Sequence, residues 1–213
     1  FERIGETMYP AGHPYHWSVI GSMADLSAAS MDDVKSFFRT YYVPNNATLV
    51  LAGDFEEKKA RSWIDKFFGP LEKGDEIKRP NNPQPKLTAE IRSTYEDAVP
   101  FPRVSMVWHS GPQFSADEAA LDTLASILSS GRGSRLQSNL NYGKELVSQI
   151  SASNSTNEIG GLFQIVATAR PGKTLEEVER EIDIEIDRIK KGAPTAEEVE
   201  RSLNGRESGF IFG

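Results

Sequence analysis

The chain has 213 residues, no cysteine and a formal net charge of −7 at pH 7. Hydrophobic residues make up 38% and charged residues 26%, a balance typical of a globular protein that buries a sizeable core. The absence of cysteine excludes disulfides and thiolate metal sites. The acidic charge repels phosphate backbones, so we expect no nucleic-acid partner. No apolar run approaches the roughly 20 residues that span a bilayer.

The first third of the chain predicts two helices and one strand. Residues 1–22 are rich in glycine, proline and aromatic residues, which predicts an ordered loop rather than a helix. Ser30 is predicted to cap a helix from Met31 to about Tyr42, whose apolar residues recur every three or four positions. The apolar run 47–52 predicts a strand covered on both faces, and a second helix follows from about Glu56 to Phe68.

Residues 69–88 contain repeated prolines and glycines amid charges and asparagines, so no packed element is expected there. The sequence therefore predicts a small first part at 1–70, a linker at 71–88 and a larger second part at 89–213. The first part, with its helix–strand–helix pattern, is too short to form a complete sheet domain.

Four strands are predicted in the second part, as the pairs 89–98 with 102–109 and 146–154 with 160–170. Helices are predicted at 116–128, from the loop 129–133 to about 141, at 174–191 and from 194 onward. Capping boxes are predicted for Ser115 with Glu118, for Thr174 with Glu177 and at the start of the last helix. Strand pairs backed by helices predict an α+β fold, with an antiparallel sheet and helices on one face.

His13 and His16 form the only close histidine pair. On a helix this spacing could share a metal ion, but Pro14 lies between them and no acidic residue stands at a recognised ligand spacing. Packing within the loop is therefore favoured, with a metal site as the alternative. Neither His-Glu-x-x-His nor His-x-x-Glu-His occurs in the chain. We predict no catalytic residue and no metal ligand.

The stretch Gly131-Arg132-Gly133-Ser134-Arg135 is similar to a phosphate-binding loop but lacks the Lys-Ser/Thr ending. A loop between two helices is the favoured interpretation. The alternative is that Arg132 and Arg135 contact a substrate carboxylate or backbone, because a guanidinium presents several donors in a fixed fork. These two arginines are the only substrate-binding residues that the sequence predicts.

Several motifs occur in a fixed order along the chain. They are Gly12-His13-Pro14-Tyr15, Val19-Ile20-Gly21-Ser22, the stretch Met31 to Phe38, the stretch Tyr41 to Asp54 with its Tyr-Tyr-x-Pro-Asn-Asn, Ser129 to Leu136, and Leu162 to Arg170 followed by Pro171-Gly172. This ordered set closely resembles the pitrilysin/insulinase family of zinc metallopeptidases, which includes mitochondrial processing peptidase. The resemblance covers essentially the whole chain.

The resemblance implies a fold of the processing-peptidase type. It implies that residues 1–70 are the C-terminal part of a first, catalytic-type domain without its zinc motif. Residues 89–213 would then be a second, non-catalytic domain, truncated at its C-terminus. In the parent protein, zinc would polarise the peptide carbonyl and activate a water. No zinc is expected in this chain, because the family's zinc motif precedes the region where the chain begins.

The function that the resemblance implies is that of a non-catalytic part of a zinc metalloendopeptidase. It would complete the substrate chamber of an enzyme that binds peptides as an added strand on a sheet edge. The implied partners are a peptide substrate, an N-terminal catalytic segment, and a C-terminal half or a homologous subunit. The alternative is an inactive homologue that serves as a structural or binding partner of a catalytic subunit. Similarity to bacterial, exported members favours the periplasm.

Overall fold

The computed structural model describes residues 2–79 and 81–212. Phe1, Pro80 and Gly213, which fall in the predicted first part, linker and second part, lie outside the described residues. The chain divides into two compact units, Phe1–Asn82 and Pro83–Gly213. Their assignment to the end of one domain and most of the next stays a prediction. No helix among the described residues is both long and apolar enough to cross a membrane.

The described residues of the first unit form four helices and a short 3₁₀ turn. They are α1 (Glu2–Met8), α2 (Met23–Ala28), α3 (Met31–Tyr41), the turn Pro44–Asn46 and α4 (Glu57–Phe68). The predicted helices correspond to α3 and α4, and Ser30 caps α3 in a capping box with Asp33. The prediction of a helix-free stretch at 1–22 is wrong for α1. The proline and aromatic residues that disfavour a helix begin only at Tyr9, where α1 has already ended.

The predicted strand at 47–52 does not form. Leu49, Val50 and Leu51 are 53%, 79% and 49% exposed. A strand must pair its backbone N–H and C=O groups with a neighbour. No other strand exists among the described residues of this unit, so the apolar run has no ladder to join.

The apolar faces of α3 and α4 are also exposed. No residue of either helix is buried. The exposed side chains are Val34, Phe37, Phe38 and Tyr41 on α3, and Trp63, Phe67 and Phe68 on α4. Each helix is amphipathic in sequence, but within the described part of this unit its apolar face remains exposed to solvent.

The second unit is an antiparallel three-stranded sheet backed by helices, as predicted for the fold class. Its elements are β1 (Arg103–Ser110), α5 (Glu118–Ser129), a π-helix (Gln137–Gly143), β2 (Val147–Thr156), β3 (Gly161–Ala169), α6 (Leu175–Lys191) and α7 (Ala196–Phe212). The strand order is β1-β3-β2, with β3 in the centre. The predicted strands at 102–109, 146–154 and 160–170 and the predicted helices are confirmed.

The predicted strand at 89–98 is wrong. This segment forms no strand, and the neighbour of β1 in the sheet is β3. Arg92 in its middle forms ion pairs with Glu90 and with Glu179 on α6. The contact of Arg92 with α6 is thus made by its side chain and not by a strand ladder.

The capping box predicted for Ser115 is wrong, whereas the other two form. The carboxylate of Glu118 accepts a hydrogen bond from the backbone N–H of Phe114, not from Ser115. The reason is the positive φ of Phe114, 63°, which turns the chain just before α5. Thr174 forms the predicted box with Glu177. Thr195 and Glu198 exchange the corresponding hydrogen bonds before α7.

The two faces of the sheet differ in what covers them. Alternate residues of β3, including Ile165 and Ala167, are fully buried. They belong to a core with α5, the π-helix and α6 that includes Leu128, Leu140 and Ile182. The strand register places Arg103, Thr168 and Gln149 side by side on the opposite face. That opposite face, called here the outer face, carries the candidate site.

Candidate functional site

An open cleft of about 570 Å³ lies where the outer face of the sheet meets the loop and π-helix that follow α5. It is lined by two arginines and by aromatic, amide, hydroxyl and small apolar groups: Arg103, Gly131, Arg132, Gln137, Asn141, Tyr142, Ser148, Gln149, Ile150, Ser151, Val166 and Thr168. No acidic residue is in this lining, although the chain has 31 acidic and 24 basic residues. The cleft is therefore locally cationic on an acidic protein.

Arg132 is presented to the cleft by a turn that needs glycine. Gly131 has a φ of +76°, which residues with a side chain rarely adopt. The guanidinium of Arg132 lies over the ring of Tyr142, with 4.6 Å between its carbon and the ring centroid. This cation–π contact orients the guanidinium. Among the described residues, no carboxylate lies within ion-pair distance of Arg132.

Arg103 reaches the same cleft from the first position of β1. It is opposite Thr168 on β3, which in turn is opposite Gln149 on β2. Within residues 2–79 and 81–212, it forms no ion pair. Arg103 is not among the residues predicted from the sequence. Strand alternation separates it from the core-facing Val104, but the register that brings it opposite Thr168, on the face that also carries Gln149, has no local signal.

A chain of hydrogen bonds fixes the wall of the cleft. Arg170 Nη2 donates to Asn141 Oδ1 at 3.0 Å, and Asn141 Nδ2 donates to Gln137 Oε1 at 3.0 Å. Gln137 Nε2 then donates to the carbonyl oxygen of Ile150 at 2.8 Å. Each of these groups has a partner, so the π-helix is held against β2 and the amides of Gln137 and Asn141 are already engaged.

The same contacts close part of the β2 edge. The amide of Gln137 donates a hydrogen bond to the carbonyl oxygen of Ile150. The hydroxyl of Ser129 accepts a hydrogen bond from the N–H of Ala152 at 2.7 Å. A peptide that paired with this stretch of β2 would have to displace both side chains. The accessible site here is therefore the cleft rather than the strand edge.

Arg135, the second arginine predicted from sequence, has a different environment. Its guanidinium forms a two-point ion pair with Glu198, and the two side chains are 19% and 15% exposed. The pKa of Glu198 is lowered to about 2, chiefly by the hydrogen bonds from Arg135. Burial of the carboxylate opposes this shift, and hydrogen bonds from Thr195 add to it. The role of both arginines in substrate binding stays a prediction. The geometry favours Arg132, because Arg135 is engaged elsewhere.

His13 and His16 are both held by backbone groups of their own loop. The Nδ1 of His13 accepts from the N–H of Tyr15 at 3.1 Å, and its ring stacks on Tyr9. The Nδ1 of His16 is 2.8 Å from the carbonyl oxygen of Tyr9 and donates to it. In the part of the chain that the structure describes, no group of three or more His, Cys, Asp or Glu side chains is arranged to hold a metal ion.

Comparison with known proteins gives one family and several relatives. The family described as "Peptidase M16 inactive domain" matches residues 28–206. Zinc protease PqqE of Helicobacter pylori is 31% identical over 202 residues, which are 93% of this chain and 46% of that protein. Protein YhjJ of Escherichia coli K12 is 31% identical over 90 residues, 42% of this chain and 18% of that protein. The PqqE match covers nearly all of this chain, which thus spans about half the length of that relative.

Solved structures agree with the observed fold. A protease from Helicobacter pylori superimposes with a TM-score of 0.79 and 29% identity, covering 93% of this chain and 49% of that one. A peptidase M16 inactive domain from Pseudomonas fluorescens superimposes with a TM-score of 0.74 and 19% identity, covering 96% and 49%. A chain of complex III from Candida albicans gives a TM-score of 0.79 at 16% identity, covering 99% and 51%. The last two similarities show the fold alone.

Proposed function

The chain belongs to the peptidase M16 inactive domain family, in the pitrilysin/insulinase class of zinc proteases, and from that premise we propose that it completes the peptide-binding chamber of a metalloendopeptidase. The catalytic zinc and its ligands are assigned to another segment of the parent protein or to a homologous subunit. The chain itself contributes binding surface and no hydrolytic group.

The open cleft on the outer face is the observation that carries this proposal. Arg103, Arg132 and the amide of Gln149 offer donors to a peptide, while the surrounding wall has its own hydrogen bonds satisfied. A cleft in which a few polar groups converge is a candidate binding site. A peptide's carbonyl oxygens need such donors, and the absence of carboxylates leaves these donors available.

The exposed apolar residues of the first unit support a role as part of a larger assembly. The aromatic faces of α3 and α4, together with the unpaired run 47–52, are apolar surfaces open to solvent. Globular monomers rarely expose contiguous apolar patches larger than a few hundred Å². We assign these surfaces to contact with the catalytic segment, which would also supply a strand partner for residues 47–52.

A catalytic zinc does not fit the described residues. A catalytic site needs three protein ligands on one ion. The described part of the chain holds no such group, and one ring nitrogen of each of His13 and His16 is taken by a backbone hydrogen bond. We therefore derive no step of hydrolysis from this chain.

Reconstitution tests the proposal. The chain and the catalytic segment of its parent protein are produced separately, then mixed and measured for complex formation by light scattering and for peptide hydrolysis. We expect an equimolar complex and at least a tenfold gain in kcat/KM over the catalytic segment alone. Phe37→Lys, on the apolar face of α3, should weaken the complex, whereas Ser36→Lys on the other side of that helix should not. A catalytic segment that is fully active alone and forms no complex would overturn the proposal.

A further inference from the structure

We propose that Arg103 and Arg132 form a subsite for a single carboxylate, so that the cleft selects peptides that carry an acidic side chain or a free C-terminal carboxylate. This inference rests on the proposed peptide-binding function and adds the chemical class of its ligand. It concerns this chain's own cleft and needs no metal.

Of the nine arginines in this unit, five have a polar partner, and Arg180 and Arg201, which form no ion pair among the described residues, are outside the lining of the cleft. Arg92, Arg135, Arg188 and Arg206 form ion pairs with Glu179, Glu198, Glu185 and Asp122. Arg170 donates to the carbonyls of Val147 and Asn141. Within the described residues, Arg103 and Arg132 have no carboxylate partner, and both line one cleft that contains no acidic residue. Guanidiniums that have no carboxylate partner and line one cavity favour the binding of an anion there.

The contact with Tyr142 favours a planar acceptor. A guanidinium held over an aromatic ring keeps the N–H groups in its own plane available for hydrogen bonds. Those N–H groups match the two oxygens of a carboxylate. The ring of Tyr142 also limits the freedom of Arg132, which reduces the entropy lost when an anion binds.

The surroundings of the cleft favour a peptide over a polyanion. The amide of Gln149 and the hydroxyls of Ser148 and Ser151 line the same cleft as the arginines and suit the backbone of a peptide. A nucleic acid would bring many phosphates to a protein with a net charge of −7, which repels them. One carboxylate on an otherwise neutral peptide is the anion that the site can accept.

Matched peptides on the intact 213-residue chain provide the test. One six-residue extended sequence is prepared in three forms: an amidated form with a central glutamine, an amidated form with a central glutamate, and a glutamine form with a free C-terminal carboxylate. Affinity for each form is measured by isothermal titration calorimetry at low ionic strength and again at about 0.5 M salt. The glutamate and free-terminus forms distinguish the two sources of the carboxylate.

We expect at least one carboxylate form to bind about five- to tenfold more tightly than the neutral form, because each exposed charge pair contributes modestly. High salt should reduce this preference, since it screens exposed charges. Arg103→Gln and Arg132→Gln should each reduce the preference to twofold or less. Arg180→Gln removes an exposed arginine on α6, outside the cleft, and should leave the preference unchanged.

Two negative outcomes are distinguishable. Equal binding of all three forms, unaffected by Arg103→Gln and Arg132→Gln, overturns the carboxylate subsite and leaves peptide binding standing. Failure of every form to bind overturns both the subsite and the peptide-binding role proposed above.

Discussion

The guanidinium of Arg135 and the carboxylate of Glu198 form a two-point ion pair, with Nε to Oε1 at 2.7 Å and Nη2 to Oε2 at 2.8 Å. Both side chains are less than one-fifth exposed. The pair joins the turn of chain before the π-helix to the first turn of α7. Only three positions away in sequence, Arg132 is exposed in the cleft. The two arginines of one loop therefore have different environments, and we propose that Arg135 acts in stability and Arg132 in binding.

Because the pKa of Glu198 is lowered in the folded chain, the free energy of unfolding of this unit should depend on pH. Its folded pKa of about 2 lies below the ordinary value of 4.5, so the carboxylate contributes fully above pH 4.5 and loses its contribution as the pH falls toward 2. Glu198→Gln removes the titrating group. We expect the urea-unfolding free energy of wild type to fall more steeply between pH 5 and pH 2.5 than that of Glu198→Gln. Parallel pH profiles would contradict this assignment.

The two loop arginines should differ in their effect on stability. Arg135→Met leaves the carboxylate of Glu198 partly buried without its partner, which we expect to cost about 2 kcal/mol. Arg132→Met should leave the unfolding midpoint close to wild type, because that side chain is exposed. Trp108 reports this unit alone once Trp17 and Trp63, both in the first unit, are replaced by phenylalanine. A larger loss for Arg132→Met than for Arg135→Met would reverse the assignment.

Two glycines in the second unit should respond in opposite directions to alanine. Gly131 has a φ of +76°, so Gly131→Ala should lower the free energy of unfolding by about 1 kcal/mol through backbone strain. Gly205 lies within α7, and a Cβ there meets no atom within 4 Å. Gly205→Ala should raise the free energy of unfolding by about 0.5–1 kcal/mol, because alanine favours the helix. Urea denaturation monitored at Trp108 measures both changes, and a stabilising Gly131→Ala would contradict the assigned turn.

Thr174 and Ser115 test which capping interactions exist. Thr174→Ala removes the side-chain half of the α6 capping box and should cost about 1 kcal/mol. The hydroxyl of Ser115 is buried and has no hydrogen-bond partner among the described residues. Ser115→Ala should therefore be neutral or slightly stabilising. Equal destabilisation by both substitutions, in the same unfolding assay, would show that Ser115 caps α5 after all.

Local signals explain what could be predicted from the sequence. The helix that begins after Thr174 is specified by residues within one turn of each other, and its box with Glu177 forms as predicted. Strands depend on partners that are distant in sequence. The run 47–52 has the composition of a buried strand, yet the described part of its unit holds no strand to pair with it. An apolar pattern indicates the capacity to pair, not the presence of the neighbour.

The candidate site was predicted only in part for a similar reason. The glycines around Arg132 mark a loop and expose that arginine, which sequence reasoning can find. Arg103 lies 29 positions earlier, and only the register between β1, β3 and β2 brings it to the same cleft. The ion pair of Arg135 with Glu198 spans 63 positions and has no local signal either. Tertiary pairing decides which of these arginines is available to a ligand.

The absence of hydrolytic chemistry in this chain is the claim on which the account depends, and a chelator-controlled peptidase assay tests it most directly. The purified chain is incubated with equimolar zinc and unfolded casein, with and without 1,10-phenanthroline, and its metal content is measured after gel filtration. We predict less than about one zinc per ten chains and no cleavage in either sample, because no described group offers three ligands to one ion. Stoichiometric zinc with casein cleavage that the chelator stops would contradict the account.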